Sequence, residues 1–257
     1  MNRRQAIPGN SGNAFGPGGA TGVNPLVIAK SAIPFINISS GSIGNNGALS
    51  GVTALGRTFS NGAYCYFPAN AIAAGVSAGW YWTVFSSTTA GTIYNSTYTS
   101  GVPVIGTTTA FSTTGPGAYT GDTTALAGPS TSIPAGAIGA NGSLRVGGHL
   151  SVNNTAGTKQ AAAKYSGAAG TTIYATGANA SVTGVRMDFD THNVGLTGAQ
   201  ITSGGYFNTS GGIAAVGPTA SAIDTTAATT LVWQLQKNTA TDNMILETYR
   251  VELLYGA

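Results

Sequence analysis

The chain has 257 residues, enough for one large or two small domains, and its 42% hydrophobic content with a net charge of +3 excludes a disordered polymer. Charged residues make up only 7%, against about 25% in ordinary soluble domains, which is too sparse for the clustered Lys and Arg of a nucleic-acid-binding face. Cys65 is the single cysteine, so no intramolecular disulfide is possible, and no apolar run approaches membrane-spanning length.

Residues 1–38 read as an extended arm. Pro8, Pro17, Pro25 and Pro34 recur at nearly even intervals and prevent long regular structure. Phe15, Leu26, Ile28 and Phe35 are apolar anchors that a free linker would not need, and Arg3, Arg4 and Lys30 make the arm basic. No acid precedes Asp122, and a basic N-terminal segment expects an acidic partner, here a protein surface. These seven residues are the expected docking contacts. The first twelve residues contain no apolar h-region of a secretory signal, so folding in a cytoplasm is expected.

Beyond the arm, strand signals dominate: Ala63–Phe67, Trp80–Phe85, Gly91–Tyr94, Leu144–Val152, Thr171–Tyr174, Val182–Phe189, Thr230–Gln236 and Met244–Leu254. Asn-Gly at 46–47, 61–62 and 141–142 supplies turns. The best short helical candidate is Lys159–Tyr165. The expected fold is all-β: an arm (1–38), a small β-collar (39–110) and a jelly-roll-like β-sandwich (111–257). The last two strands, LVWQLQKN and MILETYRVELLY, read as a hairpin whose Trp233 face enters the core.

Residues 67–92 and 133–158 align without a gap. Both open with an apolar residue and Pro-Ala-x-Ala-Ile-x-Ala, and both close on Thr-Ala-Gly-Thr. One β-unit used twice is expected.

SIGNNGALSGVTAL (42–55), NGAYCYFPANAIAAG (61–75), GWYWTVFSSTTAGTIYN (79–95), IPAGAIGANGSLRV (133–146) and LETYRVELL (246–254) together resemble tailed-bacteriophage structural proteins. The most specific part is Ile-Pro-Ala-Gly…Asn-Gly-Ser-Leu-Arg opening a β-sandwich that ends in Glu-x-Tyr-x-Val-Glu-Leu. The resemblance covers about 39–257 and implies a virion fibre, spike or head decoration, usually trimeric, assembled in the host cytoplasm. The expected function is a non-enzymatic, trimeric surface spike or short fibre. Its partners are its own copies, head or tail proteins reached through residues 1–38, and a host-surface glycan. A capsid decoration is the alternative, and a polysaccharide depolymerase a weaker one.

Candidate chemistry is thin. Only His149, His192 and seven carboxylates are available, without a nucleophile elbow, phosphate loop or paired-cysteine motif. No catalytic residue, cofactor or metal is expected. In MDFDTH, Asp188, Asp190 and His192 fall on one strand face and Met187 and Phe189 on the other. A solvated polar face is the favoured reading, and a metal at an oligomer axis the alternative. The Tyr64–Phe67 and Trp80–Trp82 clusters alternate between faces, which favours core on one side and a subunit contact on the other over a sugar-stacking platform. Glycan contacts are expected at loops 153–158, 193–212 and 238–243, grouped at the distal end.

Overall fold

A computed structural model describes residues 13–15, 20–22, 26–112, 114–165, 167, 169–209 and 213–254. Nineteen strands occur among them. They are β1 (Asn13–Phe15), β2 (Ala20–Gly22), β3 (Leu26–Ser31), β4 (Phe35–Asn37), β5 (Gly41–Ile43), β6 (Ala48–Ser50), β7 (Ala63–Phe67), β8 (Gly79–Phe85), β9 (Gly91–Tyr98) and β10 (Gly117–Tyr119). They continue with β11 (Leu126–Ile133), β12 (Ser143–Val152), β13 (Lys159–Tyr165), β14 (Thr171–Ala175), β15 (Gly184–Asn193), β16 (Gln200–Asn208), β17 (Ile213–Ser221), β18 (Thr229–Lys237) and β19 (Met244–Leu254). The only helical element described is one 3-10 turn, Asn45–Gly47. The fold is all-β and sandwich-like.

One long sheet runs β10-β5-β6-β9-β8-β7-β4-β19-β12-β15-β16-β17, with β3 also paired to β19. A second sheet, β11-β18-β13-β14, covers one face of its β19–β16 half. Two hydrophobic cores result. The sandwich core gathers Leu144, Val146, Met187, Phe189, Val251 and Leu253 from the long sheet, against Ala161, Ala163, Tyr165, Leu231, Trp233 and Leu235 from the short one. The collar core gathers Ile36, Ile43, Leu49, Phe67, Phe85 and Ile93. Trp233 is fully buried, and the indole fits because position 148 is glycine. A Cβ there would lie 2.7 Å from the Trp233 ring.

Strands β7 and β8 divide the two cores between their faces. Tyr64, Trp80 and Trp82 belong to the sandwich core, whereas Cys65, Phe67, Tyr81 and Phe85 belong to the collar core. Both faces are therefore filled from within one chain. The subunit contact expected on one of them is replaced by a second intramolecular core.

The repeat is structural only at its boundary turn, because β7 and β8 pair with each other whereas β11 and β12 lie in opposite sheets. Phe67 ends β7 and Ile133 ends β11, and both are buried. Each is followed by a turn in which the alanine N–H donates to the proline carbonyl (Ala71 to Pro68 O, Ala137 to Pro134 O). Asn70 (φ 61°) and Gly136 (φ 66°) occupy the same left-handed position. Ile72 then plugs the collar core and Ile138 the sandwich core. Each Thr-Ala-Gly-Thr leads into the next strand, β9 or β13.

Three expectations are corrected. Lys159–Tyr165 is a strand between β18 and β14: in Lys-Gln-Ala-Ala-Ala-Lys-Tyr the intrinsic helical preference of alanine gives way to burial of Ala161, Ala163 and Tyr165 on one side. Strands β18 and β19 are not a hairpin. They lie in opposite sheets, because the 238–243 turn crosses the sandwich. The arm, thirdly, does not extend to residue 38. Strand β4 pairs antiparallel with β19 and parallel with β7, and β3 pairs with β19.

Nested pairing of β12 with β19 and of β13 with β18 joins the two sheets of the sandwich. The β15-β16-β17 meander extends it antiparallel.

Candidate functional site

The outer face of β19, β12, β15 and β16 collects charge in a chain that has little. Strand β15 alternates as its sequence suggests: Met187 and Phe189 enter the core while Arg186, Asp188, Asp190 and His192 point outward. Cross-strand registers order this face into rows. One row reads Glu252–Arg145–Asp190–Ser203, the next Arg250–Gly147–Asp188–Gly205, and the third Thr248–His149–Arg186–Phe207. Lys30 extends the middle row from β3. Four of the ten bases (Lys30, Arg145, Arg186, Arg250) and three of the seven acids (Asp188, Asp190, Glu252) stand here.

The acids are taken up by neighbouring guanidiniums. Arg186 Nε donates to Asp188 Oδ2 at 2.8 Å, Arg145 Nε to Asp190 Oδ1 at 3.1 Å, and Arg250 lies 3.6 Å from Glu252. Among the described residues, no group of three His, Cys, Asp or Glu side chains is placed to hold a metal. His192 lies opposite Ile201 and Ser143.

Glycine shapes the middle row. Gly147 and Gly205 flank Asp188 and contribute no side chain, so the row is a trench between two rows of larger residues. A depression of about 330 Å³ lies here, lined by Lys30, Gly147, His149, Arg186, Asp188 and Arg250 together with backbone around them. A Cβ at Gly147 would come 2.9 Å from Asp188 Oδ1 and 3.4 Å from Arg250 Nε. Lys30 and His149 enter no ion pair among the described residues.

A second polar cluster is buried where collar and sandwich meet. Lys159 Nζ lies 2.9 Å from Asp242 Oδ2, with the two side chains 2% and 1% exposed. Thr155 Oγ1 and Asn153 Nδ2 also donate to this carboxylate. Burial alone would raise the Asp242 pKa, but the hydrogen bonds from Lys159, Thr155 and Asn153 outweigh it and hold the carboxyl below its ordinary value. Lys237, fully buried, donates to the carbonyls of Ile38 and Asp242, each at 2.6 Å. Desolvation pulls its pKa down to about 7 against the opposing pull of Asp242 and Asp122. Asn243 completes the junction: its side chain accepts from Ser39 N and donates to Thr53 O.

This junction corrects the grouping of the expected glycan loops. Loops 153–158 and 238–243 are hydrogen-bonded to each other and to collar residues 39, 40 and 53. The expected 193–212 loop is in large part strand β16, with 210–212 outside the described residues, and its 194–199 turn follows Asn193, which pairs near Ser143, at the opposite end of β12. The three loops do not form one site. At that opposite end, Gln200 donates to Asn193 Oδ1, Thr197 O and Ile223 O, and Asn193 donates to Thr225 Oγ1, fixing the loop that exposes Val194 and Leu196.

The expected docking residues separate as well. Arg3 and Arg4 lie outside the described residues, and Phe15 is placed only as the last residue of β1. Phe35 is no docking contact: it is 0% exposed and packs against Tyr64, Trp80 and Tyr98 with ring centroids 4.9–5.4 Å apart. Ile28 packs on the sandwich core, Lys30 borders the trench and Leu26 is 47% exposed. Cys65 is buried, and burial pushes its thiol pKa up, which suits a structural rather than a reactive cysteine.

Sequence reading isolated the Asp188–His192 face but missed the trench. Its signal was present: Gly147-Gly148 inside a strand that otherwise alternates apolar and polar residues, which marks a close approach or a gap. No protein-family model, curated protein or solved structure matches the chain.

Proposed function

We propose that the chain is a non-enzymatic surface protein of a bacteriophage particle, a trimeric spike or short fibre docked through its N-terminal segment with the sandwich facing outward. The observation that carries this reading is the uneven spread of charge over a rigid all-β body. Between residues 39 and 121 the sequence contains one charged residue, Arg57. The collar nevertheless exposes Val102, Val104 and Ile105, the last two at 70% and 75%. Contact surfaces between subunits are depleted of charge in just this way. The sandwich places six of its thirteen charged residues on one sheet face, as a surface kept in water does.

The non-enzymatic part rests on the state of the acids. Asp188 and Asp190 are each paired with an arginine, and Asp242 is buried against a lysine that holds its carboxyl below the ordinary value, so none of the three stands as a free carboxylate beside a second one, as general acid-base work would need.

Two measurements test the proposal. Light scattering of the purified chain is expected to return a trimer, and a monomer sinks that part. Antibody labelling of intact particles in the electron microscope is expected to decorate the tail or its tip. Label over the head converts the reading to a capsid decoration, and absence of label from particles overturns it.

A further inference from the structure

We infer that the trench over Gly147 is a binding site for a carboxylate-bearing saccharide. The inference deepens the proposed function, because it requires the charged sandwich face to stay in water on the assembled particle.

The chemistry follows from the lining. Lys30, Arg186, Arg250 and His149 surround the depression, and Asp188 stands on its floor. Guanidinium groups recognise a carboxylate through paired N–H donors in one plane. Arg250 is suited to this role, being 47% exposed with its Glu252 neighbour at 3.6 Å, beyond a close hydrogen bond. Lys30 adds a second positive charge on the same cross-strand row.

Asp188 narrows the class. It is 37% exposed, and one of its oxygens is occupied by Arg186. The other, Oδ1, faces Gly147 and the trench. A carboxylate there repels a compact dianion such as phosphate, yet accepts hydrogen bonds from hydroxyls. A ligand with one carboxylate and several hydroxyls satisfies both halves, as an acidic sugar does.

The shape agrees. Side-chain rows on one sheet face are about 6.8 Å apart along the strands and neighbouring strands about 4.8 Å apart. The missing side chain at Gly147 therefore leaves a depression about one sugar ring wide beside Asp188, bounded by Lys30, Arg250 and Arg186. The floor is a continuous β-ladder of β19, β12 and β15, so the site is formed before a ligand arrives and little ordering opposes binding.

Isothermal titration calorimetry on the full chain tests the inference, with tetragalacturonate as the probe and maltotetraose and inorganic phosphate as comparisons. Tetragalacturonate is expected to bind, to weaken as sodium chloride is added, and to outcompete both comparisons. Arg250→Gln removes the carboxylate donor and is expected to weaken binding about tenfold. Gly147→Thr fills the floor with a strand-compatible side chain and is expected to abolish the heat of binding, while its melting temperature stays close to that of the unaltered chain. Should Gly147→Thr fold poorly, Arg250→Gln and Lys30→Gln decide the matter alone.

No binding of tetragalacturonate, equal binding of maltotetraose or phosphate, or undiminished binding by the folded variants overturns the inference. The titration needs no particle. A chain that binds the acidic saccharide yet labels no particle keeps the trench and sinks the virion reading. A chain that labels particles but binds no acidic saccharide does the reverse.

Discussion

The buried junction and the outer sheet face use the same pairing of a base with a carboxylate, to opposite ends. At the junction Lys159 and Asp242 are almost completely withdrawn from water. On the face, Arg145 and Asp190 are 43% and 30% exposed, and Arg186 and Asp188 58% and 37%. Buried charges are expensive to desolvate and tolerate no loss of a partner. Exposed pairs are screened and contribute little to stability. The first pair therefore ties β13 to the 238–243 turn, whose neighbours bond to the collar, whereas the second set contributes little to the fold.

The largest expected effect comes from breaking the buried pair. Asp242→Ala strands the Lys159 ammonium and is expected to cost about 3–5 kcal/mol in urea unfolding. The double variant Lys159→Met/Asp242→Leu is expected to lose clearly less than Asp242→Ala. Equal losses would mean that the hydrogen bonds to Asn153 and Thr155, rather than the charge pair, carry the junction.

Next come the two adjacent glycines. Gly148→Val overpacks the Trp233 ring and is expected to destabilise by about 1–3 kcal/mol. Gly147→Thr points toward water and movable side chains, and is expected to melt close to the unaltered chain. A loss at Gly147 as large as that at Gly148 would mean that the trench is a packed region and not a site.

The pH dependence separates the regions further. Lys237 loses its proton near pH 7 in the fold, whereas the ordinary lysine value is 10.5. Between these values the unfolded chain binds the extra proton, so stability rises with pH from about 7 towards about 10. Burial pushes Tyr165, Tyr174 and Tyr249 above their ordinary value. They stay neutral in the fold while the unfolded chain ionises near pH 10, so the gain reverses above that point. Lys237→Met is expected to flatten the rise between pH 7 and 10 in denaturant titrations. An unchanged slope would assign it to other groups.

The smallest effect belongs to the face. Asp190→Asn is expected to change stability by only about 0.2–1 kcal/mol in the same assay. A loss rivalling that of Asp242→Ala would erase the distinction between the two regions.

The chain-end expectation sharpens alongside these. Removing residues 2–24 is expected to leave a folded oligomer that no longer joins particles, whereas removing 2–36 takes away β3 and most of β4 and is expected to abolish folding. Circular dichroism and particle incorporation read the two outcomes.

Strands with branched or aromatic residues in alternation were legible in the sequence. Ala63–Phe67 and Met244–Leu254 coincide with β7 and β19, and Leu144–Val152 differs from β12 by one residue. Strands built of small residues were not legible. β11 contains Ala127, Gly128, Pro129 and Ser130 and is irregular between Ala127 and Ser130, and β17 begins Ile-Ala-Ala-Val-Gly-Pro. Such residues give no two-residue hydrophobic period, because their faces differ little in size. The partners of β18 and β19 were hidden for another reason. A six-residue turn between two alternating strands reads as a hairpin, and only the pull of Lys237 and Asn243 on collar carbonyls and amides distinguishes a crossing.

Strand β19 sits between β12 on one side and β3 and β4 on the other. The Ser39–Asn243 hydrogen bond beside it joins residues 204 positions apart in the chain. Closing so long a loop must precede most of the contacts that reward it, which makes folding slow. On the ribosome, a nascent chain that has not yet delivered residues 244–254 has neither the central strand of the sandwich nor the antiparallel partner of β4. The collar lacks only Ile245 of its core at that stage, but its seam with the sandwich, and the sandwich itself, close only when β19 arrives.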